Sequence, residues 1–87
     1  MMEALAFLLA LGCSPQASIV YDATLDRPGR QQGALVRVRT ADAGVEVHEL
    51  WHVCQEQAHG PAWSAEESAR REVEARRVEV LWRQRDL

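Results

Sequence analysis

Lysine is absent from the chain, and all ten of its basic residues are arginine. Aromatic residues make up only 6% of the 87 positions, and they are not interleaved with an arginine patch. The formal net charge is −3 at pH 7. A protein that binds nucleic acid through its phosphates needs a concentrated basic surface. The composition therefore disfavours nucleic acid as a partner.

The chain also lacks an apolar run of about 20 residues, the length needed to cross a bilayer. The run from Ala4 to Leu11 instead has the length of the apolar region of an export signal. It ends in Leu-Gly-Cys, which resembles a bacterial lipoprotein signal and implies a lipidated, membrane-attached Cys13 with a polar tether after it. The alternative is a cytoplasmic protein in which this segment is a short helix that packs on the core. We divide the chain into a signal-like segment with its tether, residues 1–18, and one small domain, residues 19–87.

Cysteine is scarce, with only Cys13 and Cys54 present. A disulfide between them stays open, but their sequence contexts differ and nothing argues for it. Cys54 is interpreted as a small buried residue on a helix. It is a poor zinc ligand, because no second cysteine stands at ligand spacing. A chain this short is near the lower limit for a stable apolar core, so a bound metal would contribute to stability.

Two strands are predicted in the first half of the domain. Residues 19–25 alternate between apolar and polar side chains, which is typical of a half-buried strand. A second strand is predicted from Ala34 to Thr40, with Val36 and Val38 on one face. The Arg-Pro-Gly-Arg segment at 27–30 places Pro and Gly at the centre of a type II turn. We therefore predict a β-hairpin formed by these two strands.

A helix is predicted from Val45 to Ala58, where the apolar residues change to a helical period. Thr40 or Asp42 can cap its start, and Gly60-Pro61 ends it.

A second helix is predicted to begin at Ser64, which forms a capping box with Glu67, and to run to about Arg85. The short connection between the two helices favours antiparallel packing. The chain is thus expected to be a small α+β domain: an N-terminal apolar helix or signal, a β-hairpin and two antiparallel helices.

The first of these helices carries the sequence His-Glu-Leu-Trp-His at residues 48–52. On a helix, His48 and His52 face the same way with Cβ atoms about 6 Å apart, so both imidazoles can reach one metal ion. Glu49 lies beside them, where it can hold a water molecule and accept its proton. The segment therefore predicts two metal ligands and a general base.

His59 is the first candidate for a third ligand. It stands seven residues beyond His52, which is about 10 Å along a continuous helix and too far to share an ion bound at about 2.1 Å. We therefore expect His59 to be a histidine at the end of the helix.

Glu72 is the second candidate, and helix geometry favours it. Counting along the antiparallel helix returns Glu72 to the level of the second histidine, between the small residues Ala69 and Ala75. A carboxylate between two closely packed helices needs a partner, and a metal ion would supply one. The alternative is that Glu72 pairs with Arg76 on a solvated face, the arrangement expected for Glu74 with its neighbouring arginines.

The motifs resemble a known family of peptidases. His-Glu-Leu-Trp-His, Gln55, Gly60-Pro61 and the Glu-Val-Glu-Ala segment at 72–75 are similar to the gluzincins. The match is especially close to small, mostly uncharacterised bacterial members that read HExxHxxQxxxxGP and later ExEA. The resemblance covers about residues 45–78, roughly half of the mature chain.

This resemblance implies a minimal zincin-like domain that hydrolyses a peptide or protein substrate. It implies a zinc ion held by His48, His52 and Glu72, with Glu49 as the catalytic base. The chain departs from the pattern at Arg76, where several gluzincins have an aspartate that orients a ligand histidine. The groups that orient the histidines are therefore not assigned by sequence.

Two functions follow from these residues. The first is a minimal zinc metallopeptidase, in which the exposed edge of the strand at 34–40 holds an extended peptide by strand addition. Tyr21, His59 and an arginine stay open as the donor that stabilises the oxyanion. The second is a non-catalytic module in which the same side chains bind zinc for stability, or bind nothing, and the surface serves for interaction. Structural zinc sites favour four protein ligands that include cysteine. No fourth ligand is evident in this sequence, so the residues favour the peptidase.

Overall fold

The computed structural model describes residues 2–85, which form three helices and a three-stranded sheet. The elements, in chain order, are α1 (Met2–Ala10), β1 (Ser18–Tyr21), β2 (Gly29–Gln32), β3 (Leu35–Val38), α2 (Ala43–His59) and α3 (Ala65–Gln84). The predicted α+β class is confirmed. Residues 1, 86 and 87, which the predicted domain boundaries include, lie outside the described part. No helix within residues 2–85 is both long enough and apolar enough to cross a membrane.

The sheet is mixed and has the strand order β1-β3-β2. The central strand β3 pairs in parallel with β1 and antiparallel with β2. The predicted hairpin between residues 19–25 and 34–40 is therefore wrong, because the antiparallel partner of β3 is the strand at 29–32. Alternation shows which residues share a face, but it does not show which strand lies alongside. The predicted free edge at 34–40 is wrong for the same reason, since β3 is central and β2 is at an edge.

Gly33 and Ala34 form the turn of the hairpin between β2 and β3. Gly33 has a φ of 58°, in the left-handed region that glycine adopts without steric cost. The predicted type II turn at 27–30 is wrong, because Gly29 does not have a positive φ and begins β2.

The predicted ends of α2 are confirmed to within two residues. Asp42 caps the helix, and its carboxylate accepts hydrogen bonds from the backbone N–H groups of Gly44 and Val45. The helix ends at His59, and Gly60 follows with a φ of 76°. Glycine at this position can leave the helical path without strain.

The second predicted helix, α3, is also confirmed. Ser64 caps it, with its hydroxyl accepting a backbone hydrogen bond from the first turn. The side chain of Gln55, near the end of α2, donates to the carbonyl oxygen of Arg71, near the start of α3. His48, near the start of α2, contacts Glu79 in the second half of α3. The two helices are therefore antiparallel, as predicted.

The core lies between the sheet and the helices, and α1 contributes to it. Ala4 and Leu8 are buried, and the ring of Phe7 meets the ring of Trp82 edge to face with 5.3 Å between centroids. The other large buried side chains are Val36, Val38, Val47, Leu50, Val53 and Val78. The apolar N-terminal run therefore supplies side chains to the core of the folded chain.

A disulfide joins Cys13, which follows α1, to Cys54 on α2. The disulfide that the sequence left open is therefore present, and Cys54 lies on α2, as predicted, partly buried against the core. The pairing could not be argued from the sequence, because it depends on the tertiary approach of α1 to α2. Lipidation would use the same Sγ atom of Cys13. A lipidated Cys13 and this disulfide therefore exclude each other within one molecule.

Replacing both cysteines with serine should lower the free energy of unfolding by about 4 kcal/mol. The disulfide joins residues 41 positions apart, and closing a loop of that length restricts the unfolded chain. Urea unfolding followed by tryptophan fluorescence measures the difference, and reduced wild-type protein should match the double variant. A difference below about 1 kcal/mol would contradict the expectation.

Candidate metal centre

Three side chains from α2 and α3 meet at one point. Nε2 of His48 lies 2.9 Å from Oε1 of Glu72, and Nε2 of His52 lies 2.9 Å from Oε2 of the same carboxylate. One ligand atom from each of the three residues lies within 4.8 Å of the other two. Two imidazoles and a carboxylate are a donor set that divalent transition metals bind. This group could therefore hold a metal ion.

Each imidazole is oriented by a hydrogen bond at its other nitrogen. Nδ1 of His48 lies 2.9 Å from Oε1 of Glu79 on α3. Nδ1 of His52 lies 2.7 Å from Oε1 of Gln55. The amide nitrogen of Gln55 donates to the carbonyl oxygen of Arg71, which fixes the direction of the amide group. Both Nδ1 atoms therefore face oxygen acceptors and carry the hydrogen.

This orientation leaves the Nε2 atoms of the neutral rings without a proton. Their lone pairs point at the Glu72 carboxylate, which when ionised is also only an acceptor. A single divalent cation would satisfy all three groups at once. Protons alone would require two positively charged rings whose centroids are 5.0 Å apart, or one charged ring beside a protonated Glu72. The donor set therefore fits a metal ion.

The charges around Glu72 stabilise its ionised form. Burial alone would raise the pKa of Glu72, but Arg76 and the positive charge that His48 and His52 carry when they are protonated outweigh it and lower the pKa. Arg76 Nε lies 3.5 Å from Oε1 of Glu72. The pair expected from the solvated-face alternative is thus present, in addition to the contacts with both histidines.

Glu49 lies next to this group on α2 and is half-buried. Burial raises the pKa of its carboxyl, while His48 and His52 act to lower it and Glu72 acts to raise it. Across residues 2–85, no group donates a hydrogen bond to the Glu49 carboxylate and no arginine forms an ion pair with it. The carboxylate is therefore available to water in the cleft that it lines.

An open cleft of about 300 Å³ passes over the three candidate ligands and Glu49. A second depression continues it on the side of Glu49 nearer Asp42 and Arg83. The beginning of β2 lines both parts, and α3 lines the opposite wall. The edge strand and the candidate metal ligands therefore share one groove.

Gly29 allows β2 to approach the helix that carries Glu49. A Cβ atom at position 29 would lie 2.7 Å from Cγ1 of Val45 and 2.9 Å from Cγ of Glu49. Both distances are shorter than van der Waals contact, so any larger residue would displace the strand or the Glu49 side chain.

The structure separates the candidates for an oxyanion donor. Tyr21 donates a hydrogen bond to Glu46 and lines a different cavity. His59 is exposed at the end of α2 and belongs neither to the ligand group nor to the lining of the cleft. Arg27 lines both parts of the cleft. Among Tyr21, His59 and Arg27, the arginine is the one that lines the cleft together with Glu49.

Glu74 does not have the predicted role. Its Oε1 accepts hydrogen bonds from Nε2 of Gln55 at 3.0 Å and from Nε1 of Trp51 at 2.7 Å, and these bonds lower the pKa of Glu74. It therefore joins α3 to α2 instead of pairing with arginines on a solvated face. The predicted stripe of small residues is also only partly correct, because Ala75 is buried and Ala69 is exposed.

The groups that orient the histidines could not be assigned from the sequence. Arg76 has no acceptor atom with which to orient a histidine. Glu79 orients His48 instead, and it lies seven residues, about two helical turns, after Glu72. Arg83 holds Glu79 by an ion pair of 2.7 Å and also lies 3.3 Å from the helix cap Asp42. The spacing of seven residues was a signal that could have identified Glu79, because it repeats one face of a helix.

Comparisons with known proteins supply no assignment. The chain matches no protein family, no curated protein sequence and no solved structure.

Replacing Glu79 with alanine should weaken metal binding by about 10- to 100-fold, because it removes the acceptor that orients His48. Competition with a chromophoric chelator measures the affinity. Glu79→Gln should retain much of the affinity, since its amide oxygen can still accept the hydrogen bond. Glu66→Ala, an exposed change on the same helix, serves as the control. Equal affinities for Glu79→Ala and Glu66→Ala would contradict the orienting role.

Replacing Gly29 with alanine should lower the free energy of unfolding by about 1–3 kcal/mol, because its methyl group would overlap Val45 and Glu49. Arg30→Ala is the matched control, since Arg30 is the next residue of β2 and is exposed. Thermal unfolding compares the two variants. A Gly29→Ala protein as stable as the Arg30→Ala protein would show that the strand can move away without cost.

Proposed function

We propose that the protein is a minimal zinc metallopeptidase with a zincin-like arrangement of its two long helices. One observation carries the proposal: both histidines are held by acceptors at Nδ1, so that their Nε2 atoms converge on Glu72. The resemblance of the HExxH segment and the downstream Glu72 to the gluzincins agrees with this geometry.

The ligand set favours a catalytic site over a purely structural one. His48, His52 and Glu72 supply three protein ligands, and within residues 2–85 no fourth histidine, cysteine or carboxylate joins the group. Structural zinc sites are closed by four protein ligands, whereas catalytic sites keep one position open. A zinc ion held here would act as a Lewis acid on a substrate carbonyl and on water.

Glu49 serves as the general base in this proposal. Its carboxylate has no competing hydrogen bond within the described residues, and burial raises its pKa toward the range in which a carboxylate accepts a proton effectively. Glu49 takes the proton of the attacking water and passes it to the leaving amine. Arg27 is the proposed donor to the oxyanion, because its side chain is cationic and it lines the cleft on both sides of Glu49.

The substrate is proposed to bind as an extended peptide along β2. Within the described residues this strand pairs with β3 on one side only, so the backbone groups of its other edge could pair with an added strand. Gly29, Arg30 and Gln31 line the cleft beside the candidate ligands. Strand addition here would carry the peptide backbone past Glu49.

Replacing Glu49 with glutamine should abolish hydrolysis and leave zinc bound, because the amide cannot accept a proton and is not a ligand. Replacing Glu72 with alanine should lose the zinc as well, since it removes one of three ligands. Zinc content by elemental analysis and cleavage of a mixed fluorogenic peptide library measure both effects. Glu66→Gln controls for loss of an exposed charge.

Two outcomes would contradict the proposal. Full zinc occupancy in Glu72→Ala would place the metal elsewhere. Wild-type protein that binds zinc but cleaves no peptide of the library would favour the non-catalytic module, in which the same residues serve stability or interaction.

A further inference from the structure

A second cavity lies between α1, β1 and α2, apart from the metal cleft. It has a volume of about 370 Å³, within the range of small-molecule sites. Its apolar lining consists of Leu5, Pro15, Ala17, Ile19 and Leu50. The two polar members of its wall are Glu46 and Tyr21. Glu46 stands two residues before His48, so it projects about 200° around the helix from that ligand.

Glu46 is a buried carboxylate. Only 5% of the residue is exposed, and within residues 2–85 no arginine or histidine forms an ion pair with it. Its Oε1 accepts a hydrogen bond of 3.1 Å from the hydroxyl of Tyr21, whereas Oε2 accepts none. No described buried side-chain oxygen lacks a partner, so Oε2 keeps some accessible surface. Glu46 is one of the residues that line the cavity.

Burying a carboxylate is costly unless a positive partner compensates for the lost hydration. The first turn of α2 provides part of that compensation, because the helix dipole favours negative charge there. It does not supply a hydrogen-bond donor to Oε2. The site therefore lacks a donor that carries positive charge, which a ligand can supply.

Besides Glu46, the side chain of Tyr21 at the rim of this cavity is suited to bind a cation. Tyr21 is 61% exposed, so its ring is available at the rim of the cavity. Its hydroxyl hydrogen is already donated to Glu46, which leaves the oxygen lone pairs free to accept. The face of the ring can also attract a cation.

We propose that this cavity binds a small primary amine, as its ammonium ion, carried on an apolar body. The ammonium donates hydrogen bonds to Oε2 of Glu46 and to the hydroxyl oxygen of Tyr21. The apolar body packs against Leu5, Ile19 and Leu50, which line the rest of the cavity. This site is independent of the proposed peptidase activity, because it uses none of the candidate metal ligands.

The test compares phenethylammonium with 2-phenylethanol, which has the same shape without the positive charge. Metal-free protein is titrated with each compound, and backbone amide shifts in ¹H–¹⁵N spectra locate and quantify binding. We expect a dissociation constant of about a millimolar for the ammonium, with shifts at Leu5, Ala17 and Tyr21. The alcohol should bind at least about tenfold more weakly, since hydrogen bonds between charged groups are the stronger ones.

Glu46→Gln should remove the preference for the ammonium, because it retains an acceptor for Tyr21 but loses the charge. Glu66→Gln, an equal change of charge at an exposed position, should bind like wild type. Tyr21→Phe changes an exposed residue and should weaken ammonium binding several-fold, so it provides a second test if Glu46→Gln does not fold. Glu49→Gln, which disables the proposed peptidase, should bind the ammonium like wild type.

Equal affinity for the amine and the alcohol would overturn the proposal, as would shifts confined to the metal cleft. Absence of shifts at Leu5, Ala17 and Tyr21 with either compound would also overturn it. None of these results bears on peptide hydrolysis. Failure of the amine site and failure of the peptidase are therefore distinguishable.

Discussion

The contact of Glu72 with two histidines places charge in the interface of α2 and α3, where most helix pairs have apolar side chains. Such a cluster stabilises a fold only if its charges and hydrogen bonds are balanced. Glu79 and Gln55 satisfy one nitrogen of each ring, so the imbalance is confined to the two Nε2 atoms and Glu72. The remaining imbalance has the sign that a bound cation would compensate.

The groups around this contact form a continuous chain that begins at the helix cap. Asp42 caps α2 and pairs with Arg83, which pairs with Glu79, which orients His48. A side chain at Gly44 would overlap the guanidinium of Arg83, so the first turn of α2 is shaped to admit it. The same interactions that fix the start of α2 thus fix the direction of one candidate ligand.

The sequence was sufficient to predict the helices and the meeting of Glu72 with the histidines, because helical rise and antiparallel packing are regular. It was not sufficient for the sheet, since the alternation at 19–25 and 34–40 fits several pairings and the correct partner was the short polar strand at 29–32. The roles of Glu74 and Glu79 were also missed. A surface glutamate can pair within its own helix or across to a neighbour, and the choice depends on side-chain directions that spacing alone does not determine.

The helix α2 is held at both ends by bonds that do not involve a metal. Asp42 and Arg83 secure its start, while the Cys54 disulfide and the hydrogen bonds of Gln55 secure its second half. In zinc fingers, by contrast, the site exists only when the metal creates the fold. Here the Nδ1 partners that position the imidazoles, Glu79 and Gln55, are not among the candidate ligands, so little ordering entropy opposes binding of an ion. A bound ion would therefore add to the stability of an existing fold by mass action, and the open side of the site would remain accessible from the cleft.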